Sequence, residues 1–292
     1  MSIHNTLVYR GFTADELDRE YNNRRKVPDY QLYYDDWEAR SRSFRQAAQR
    51  AHLDIPFGPS EFENLDLFLP ESSAAPLHVY LHGGYWQWMY KESFSFLGKA
   101  FVETGTAFAA INYALCPSVT MDGLIQQVRA ACAFLYREAS RFGYSPDKLH
   151  VSGHSAGGQL TAMMLATDWQ AFDPGLPSNL IKSGLSISGV FDLEPLRHHE
   201  IGDALQLDES AARRLSPLYL SPATKAPFVL AVGGEEGREF NRQSQSMADA
   251  WSKHGIPIEM IELPGKNHFS ALNALTDPAG DLLPKALAMM SL

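Results

Sequence analysis

The stretch Val151-Ser152-Gly153-His154-Ser155-Ala156-Gly157-Gly158 constrains this chain more than any other. A short apolar run at residues 149–152 leads into it, and a helical pattern over 157–167 leaves it. A G-x-S-x-G turn between strand and helix is so tight that the serine backbone is strained, and larger side chains at the glycines would meet neighbouring backbone. The turn lifts the Ser155 hydroxyl clear of the sheet and sets it at a helix N-terminus. A glycine-rich turn with a capping serine has the same letters, but strand before and helix after favour a nucleophile.

The rest of the chain supplies a sheet for that turn. Residues 77–81, 107–112, 149–152, 185–190, 228–232 and 258–263 read as strands. Residues 121–142 (stopping at Gly143), 157–167 and 239–254 read as helices, and 271–290 as largely helical with a break at 278–280. Strands alternating with helices imply the α/β class: a mostly parallel central sheet with helices on both faces. Such sheets carry their chemistry just past the carboxyl ends of the strands. Residues 1–292 are expected to form a single domain. Its first 60 residues are polar and aromatic, with helices expected over 16–25 and 35–51 and a break at 27–30. Together with the polar, Pro-punctuated insertion at 194–225 they are expected to form a small cap or lid.

With 25 basic against 34 acidic residues the chain carries a net charge of −9, a poor partner for nucleic acid or anionic membranes. No stretch approaches the ~20 apolar residues of a membrane span, and residues 1–12 show no signal-peptide pattern. Two cysteines, Cys116 and Cys132, are too few for a disulfide framework and read as buried thiols. The expectation is a cytoplasmic enzyme or binding protein acting on a small molecule. The oligomeric state is not legible; a homodimer is one form considered.

An alcohol nucleophile needs a base and donors for the oxyanion. His82-Gly83-Gly84-Tyr85-Trp86 ends an earlier strand, and the Gly83 and Gly84 amides with that of Ala156 are the expected oxyanion hole. His82 reads as structural. In this fold the order is serine, acid, histidine, so the base should follow the last strand, where His268 stands. His254 reads as a surface residue, His154 as packed under the turn, and His198 and His199 as solvated. The acid should follow the strand at 228–232, where Glu235 and Glu236 are adjacent; Asp192, one strand earlier, is a weaker candidate. The sequence pattern leaves that choice open. No metal-ligand spacing and no phosphate-cradling loop appears, so neither metal nor cofactor is expected. The aromatics Tyr85 and Trp86, with Trp88 and Tyr90 nearby, suit an aryl substrate as well as they suit core packing.

The motifs HGGYW (82–86), NYALCP (112–117), GHSAGG (153–158), VGGEEGREFNRQS (232–244) and NHF (267–269) resemble the α/β-hydrolase fold, and within it the kynurenine formamidase branch of the esterase/lipase group. The resemblance runs over about 65–292, and the segment Arg19 to Arg24 resembles that branch's leading cap. It implies Ser155 as nucleophile, His268 as base and the HGG loop as oxyanion hole. It selects Glu236 as the acid, three residues after Gly233, although that position is often Asp in this fold. The implied activity is two-step hydrolysis of N-formyl-L-kynurenine or a close N-formyl aryl amide, a step of tryptophan catabolism. General short-chain carboxylester hydrolysis, and non-catalytic ligand binding on the same scaffold, are the alternatives.

Overall fold

The computed structural model describes residues 6–291; residues 1–5 of the expected cap, and Leu292 at the end of the region carrying the resemblance, lie outside the described residues. A hairpin of β1 (Leu7–Tyr9) and β2 (Phe12–Thr13) leads into α1 (Ala14–Tyr21), α2 (Asn23–Lys26) and α3 (Tyr30–Ala47). There follow β3 (Ala51–Pro56), β4 (Asn64–Phe68), β5 (Ala75–Leu81), α4 (Leu97–Glu103), β6 (Ala107–Ile111), α5 (Met121–Phe142), β7 (Tyr144–His154) and α6 (Ala156–Leu165). The chain ends with α7 (Trp169–Phe172), β8 (Ile181–Ile187), α8 (Glu209–Arg214), β9 (Phe228–Gly233), α9 (Arg238–Trp251), β10 (Ile258–Leu263), α10 (Ser270–Asn273) and α11 (Leu282–Met290).

Eight strands form one sheet in the order β10-β9-β8-β7-β5-β6-β4-β3. Strands β5 to β10 are mutually parallel, whereas at one edge β4 runs antiparallel to β6 and β3 antiparallel to β4. Alternation along the strands feeds two cores. Val79 and Val151 face a cluster shared with Val128 of α5, Leu160 of α6 and Trp251 of α9. Tyr80 and Phe108 face the other, with Trp37 of α3, Phe101 of α4 and Leu283 of α11. Both faces of the central strands are therefore dry, which is why they read as unbroken apolar runs. Helix α5 has its expected stop: Gly143 takes the left-handed conformation, with φ 84°, that ends a helix at least cost in glycine.

The elements depart from expectation where tertiary contact overrides pattern. The expected strand at 149–152 extends over Tyr144–His154, and the one at 185–190 lies at Ile181–Ile187, where pairing with β7 and β9 sets its limits. The helix expected over 35–51 is α3, ending at Ala47, and Ala51–Pro56 is an edge strand instead. Strands β3 and β4 escape pattern reading because an acid, Asp66, is wholly buried in β4. Arg45 of α3 and Lys91 hold it, the latter at 3.0 Å, and Lys91 also reaches Asp54 and Glu92. This buried cluster ties α3 and the edge strands to the segment that follows the HGGYW loop. Both cysteines are buried, and burial raises the thiol pKa to about 11 for Cys116 and about 12 for Cys132. Among the described residues no helix is long and apolar enough to cross a membrane.

Candidate active site

Parallel pairing aligns the carboxyl ends of the central strands. Leu81 of β5 lies beside Gly153 of β7, which lies beside Ser186 of β8, while Gly233 ends β9 beside Leu263 of β10. The residues just beyond those ends therefore share one rim. Ser155 stands on the tight turn after β7 with φ 57° and ψ −118°, a sparsely populated conformation for a residue with a Cβ. Two anchors hold it there: its amide donates to Ile187 O at 2.8 Å, and its carbonyl accepts from Gly158 N at 2.9 Å. The turn closes only without a side chain at Gly157, where a Cβ would sit 1.9 Å from Leu81 O.

His268 lies in the loop after β10. The Asn267 side chain shapes that loop by accepting from the amides of Phe269 and Ser270. Rings of His154, Phe240 and Phe269 surround the imidazole at centroid distances of 4.6, 4.8 and 5.7 Å. Its Nδ1 pairs with Glu236 Oε2 at 2.6 Å. Glu236 is 1% exposed, and its other oxygen accepts from Gly233 N at 2.6 Å and from the Ser188 hydroxyl at 2.5 Å. A carboxylate with three donors is desolvated without being left unsatisfied. Because Nδ1 must donate to it, the imidazole keeps Nε2 free to accept a proton.

Gly83 and Gly84 approach from β5, and Ala156 opens α6. Among the described residues none of these three amides has an acceptor within the protein. Gly84 takes φ 107°, and a Cβ there would lie 2.1 Å from Trp88 O. His82 fixes the loop as expected. Its Nδ1–H donates to Gly83 O at 2.8 Å, its ring stacks on Tyr113 at 4.2 Å, and burial lowers its pKa to about 4. His154 is buried under the turn and donates to His268 O at 2.8 Å; burial first, then the neighbouring His268, keeps it neutral.

Ser155, His268, Gly83, Gly84 and Tyr85 line one cavity of about 140 Å³. Its walls include Tyr34, Trp37, Trp88, Met89, Phe94 and Phe269. The N-terminal segment thus contributes directly, while from the 194–225 insertion Ile201 alone reaches the lining. That segment is fastened beside the acid: Lys26 Nζ donates to Glu236 O at 2.7 Å, and the Tyr21 hydroxyl to Glu239 Oε2 at 2.8 Å. Composition did not flag Trp37, Met89 or Ser188, and the resemblance of residues 19–24 to a leading cap did not place Asn23 and Arg24 at the cavity, since these roles depend on segments that meet only in the folded chain.

Three expectations need correction. Trp86 does not line the cavity: it is wholly buried in the core, donating Nε1–H to Gln159 Oε1 at 3.2 Å, because left-handed backbone at Tyr85 and Trp86 turns the loop inward. His199 is not solvated; it is 7% exposed, stacked on Tyr21 at 5.6 Å, and burial lowers its pKa to about 4. His198 is half-buried against Glu194 at 3.1 Å. Asp192 is engaged elsewhere, accepting from the Tyr9 hydroxyl at 2.6 Å, and Glu235 is exposed, so the partner of His268 is Glu236.

Residues 65–250 match the sequence family described as BD-FAE. The chain is 32% identical to the kynurenine formamidase of Danio rerio over 97% of its own length and 98% of that protein's. It is 30% identical to the kynurenine formamidase of Salmo salar with the same coverage. Esterase LipQ of Mycobacterium tuberculosis is 27% identical over 77% of this chain and 58% of that one. Among solved structures, a protein from a Silicibacter species superposes with a TM-score of 0.83 at 31% identity, covering 95% of this chain and 99% of that one. Esterase B of Lactobacillus, at 17% identity and a TM-score of 0.68 over 92% and 96% of the two chains, shares the fold.

Proposed function

The chain belongs to the BD-FAE family of α/β-hydrolases and is a hydrolase, and on that premise we propose that it cleaves N-formyl aryl amides of the N-formyl-L-kynurenine type. The observation that carries the proposal is the 2.6 Å Glu236–His268 contact at a cavity shared with Ser155 and unpaired amides. In this reading Ser155 Oγ attacks the formyl carbon while His268 Nε2 takes its proton. The resulting oxyanion rests on the amides of Ala156, Gly84 and Gly83. His268 then protonates the arylamine nitrogen as the C–N bond breaks, leaving a formyl ester on Ser155. Water attacks that ester, gives its proton to Nε2, and formate leaves as the Ser155 hydroxyl is restored.

Two features favour an aryl formamide. The cavity volume is close to the ~150 Å³ that accepts a benzene-sized ring, and its walls are aromatic. A formyl carbonyl is unhindered, and an anilide nitrogen leaves more readily than an alkylamine. Of the leading segment, residues 6–47, with 194–225, are assigned in this reading to a cap that screens the strand-end rim from water, whereas residues 51–56 belong to the sheet. Short-chain carboxylester hydrolysis is the second reading, favoured by the likeness to Esterase LipQ. The test compares kcat/KM for N-formyl-L-kynurenine with that for p-nitrophenyl acetate. Formamide turnover well above background supports the first reading; rapid ester cleavage with formamide at background leaves the second.

A further inference from the structure

Helix α2 brings two polar side chains, Asn23 and Arg24, to the catalytic cavity. Asn23 is 4% exposed, and among the described residues neither Oδ1 nor Nδ2 has a hydrogen-bond partner. Leaving a buried polar group unmade costs roughly 1–3 kcal/mol, so an amide orphaned at both ends calls for an explanation. Asn23 borders the catalytic cavity, and a ligand offering both a donor and an acceptor would complete its amide.

Arg24 supplies the charge. Its guanidinium lies 4.4 Å over the Trp88 ring, with Tyr30 at 5.5 Å and Tyr34 at 5.9 Å. Its neighbours are engaged: Arg25 pairs with Asp18, and Lys26 donates to the carbonyls of Glu20 and Glu236. Among the described residues no carboxylate pairs with Arg24, it is the single Lys or Arg lining the cavity, and no Asp or Glu lines it. The guanidinium hydrogen-bonds the Tyr34 side chain, and among the described residues no carboxylate takes the rest of its N–H fork, whose spacing matches one. Arg24 thus sets one positive charge among the aromatic side chains of the cavity wall.

We propose that Asn23 and Arg24 form a subsite for the α-amino-acid end of the substrate's leaving arylamine. Arg24 takes the carboxylate through its fork. Asn23 meets the same head group with both ends of its amide, Oδ1 accepting from the ammonium and Nδ2 donating to the carboxylate. The aryl ring then spans the aromatic walls, and the formyl carbon falls at Ser155. This subsite rests on the aryl-formamide reading.

The test measures kcat/KM for N-formyl-L-kynurenine and for uncharged formanilide in the full-length protein. The ratio of the two is followed in Arg24→Ala, Arg24→Lys and Asn23→Leu. Arg24→Ala is expected to lower the ratio about ten- to a hundredfold, chiefly through KM, as loss of a ground-state charged contact does. Arg24→Lys should recover part of it, because an ammonium lacks the fork. Asn23→Leu should lower it about five- to tenfold, leaving Arg24 in place. A ratio unchanged in Arg24→Ala, or a wild type that does not prefer the amino-acid substrate, overturns the subsite and leaves the formamidase reading standing. A wild type that turns over neither formamide overturns that reading and the subsite with it.

Discussion

Replacing Glu236 with glutamine tests the acid assignment, because the surrounding donors fix how the new amide must sit. Gly233 N and the Ser188 hydroxyl both point at Oε1, and the backbone amide cannot reverse. The glutamine carbonyl must therefore face them, which turns its NH₂ toward His268 Nδ1, 2.6 Å from the position now held by Oε2. Two donors cannot share that contact, so the imidazole shifts its proton to Nε2 and loses the lone pair that Ser155 needs. The wrong tautomer costs about 10⁴ in kcat in serine enzymes with an intact triad geometry. At about 1.4 kcal/mol per tenfold, that is roughly 5.5 kcal/mol of transition-state stabilisation. Glu235→Gln, on an exposed side chain, should stay within about twofold, as surface changes do. The assay is steady-state hydrolysis of p-nitrophenyl acetate and N-formyl-L-kynurenine, with thermal unfolding to show that each variant is folded. A folded Glu236→Gln within tenfold of wild type, or a larger loss in Glu235→Gln, would refute the assignment.

Ser155→Ala should lower kcat by about 10⁶ and abolish labelling by a fluorophosphonate probe; an unlabelled wild type would favour a binding protein instead. Gly84→Ala forces a Cβ to within 2.1 Å of Trp88 O at φ 107°, so the loop must move and kcat should fall about 10²–10³-fold; wild-type kcat would show that the Gly84 amide is not used. Trp86→Ala should destabilise by about 3–5 kcal/mol, read as a lower denaturant midpoint, while a stable variant with altered substrate preference would return Trp86 to the cavity wall. Burial lowers the pKa of His82, His150 and His199 to about 4, so between pH 6.5 and 4 the unfolded chain binds protons that the folded chain refuses. Stability is therefore retained above pH 6.5 and lost on acidification toward 4, by up to about 1.4 kcal/mol per unit for each histidine; a denaturant midpoint flat over that range contradicts this.

Much of this architecture is legible along the chain because local rules govern it. Dry, two-sided strands read as apolar runs, Gly143 ends α5 where a left-handed residue was needed, and the glycines around Ser155 mark a turn that no bulkier residue permits. Strands β3 and β4 were not legible, since the acid buried in β4 is neutralised by Arg45 and Lys91 from elsewhere in the sequence. Nor could aromatic content separate Trp86, which the loop turns into the core, from Trp88, which it leaves on the cavity.

Sequence alone determined the sheet class, through the alternation of strands and helices, and the strained serine turn, through steric limits within a few consecutive residues, while chain order pointed to the histidine after the last strand. Which of two adjacent glutamates meets that histidine was decided by folding. Gly233 N and the Ser188 hydroxyl converge on Glu236 and draw its carboxylate inward, while Glu235 stays in water. Folding also brought Asn23 and Arg24, more than a hundred residues before Ser155, to the same cavity. A side chain's local sequence carries no record of what a distant segment will place beside it.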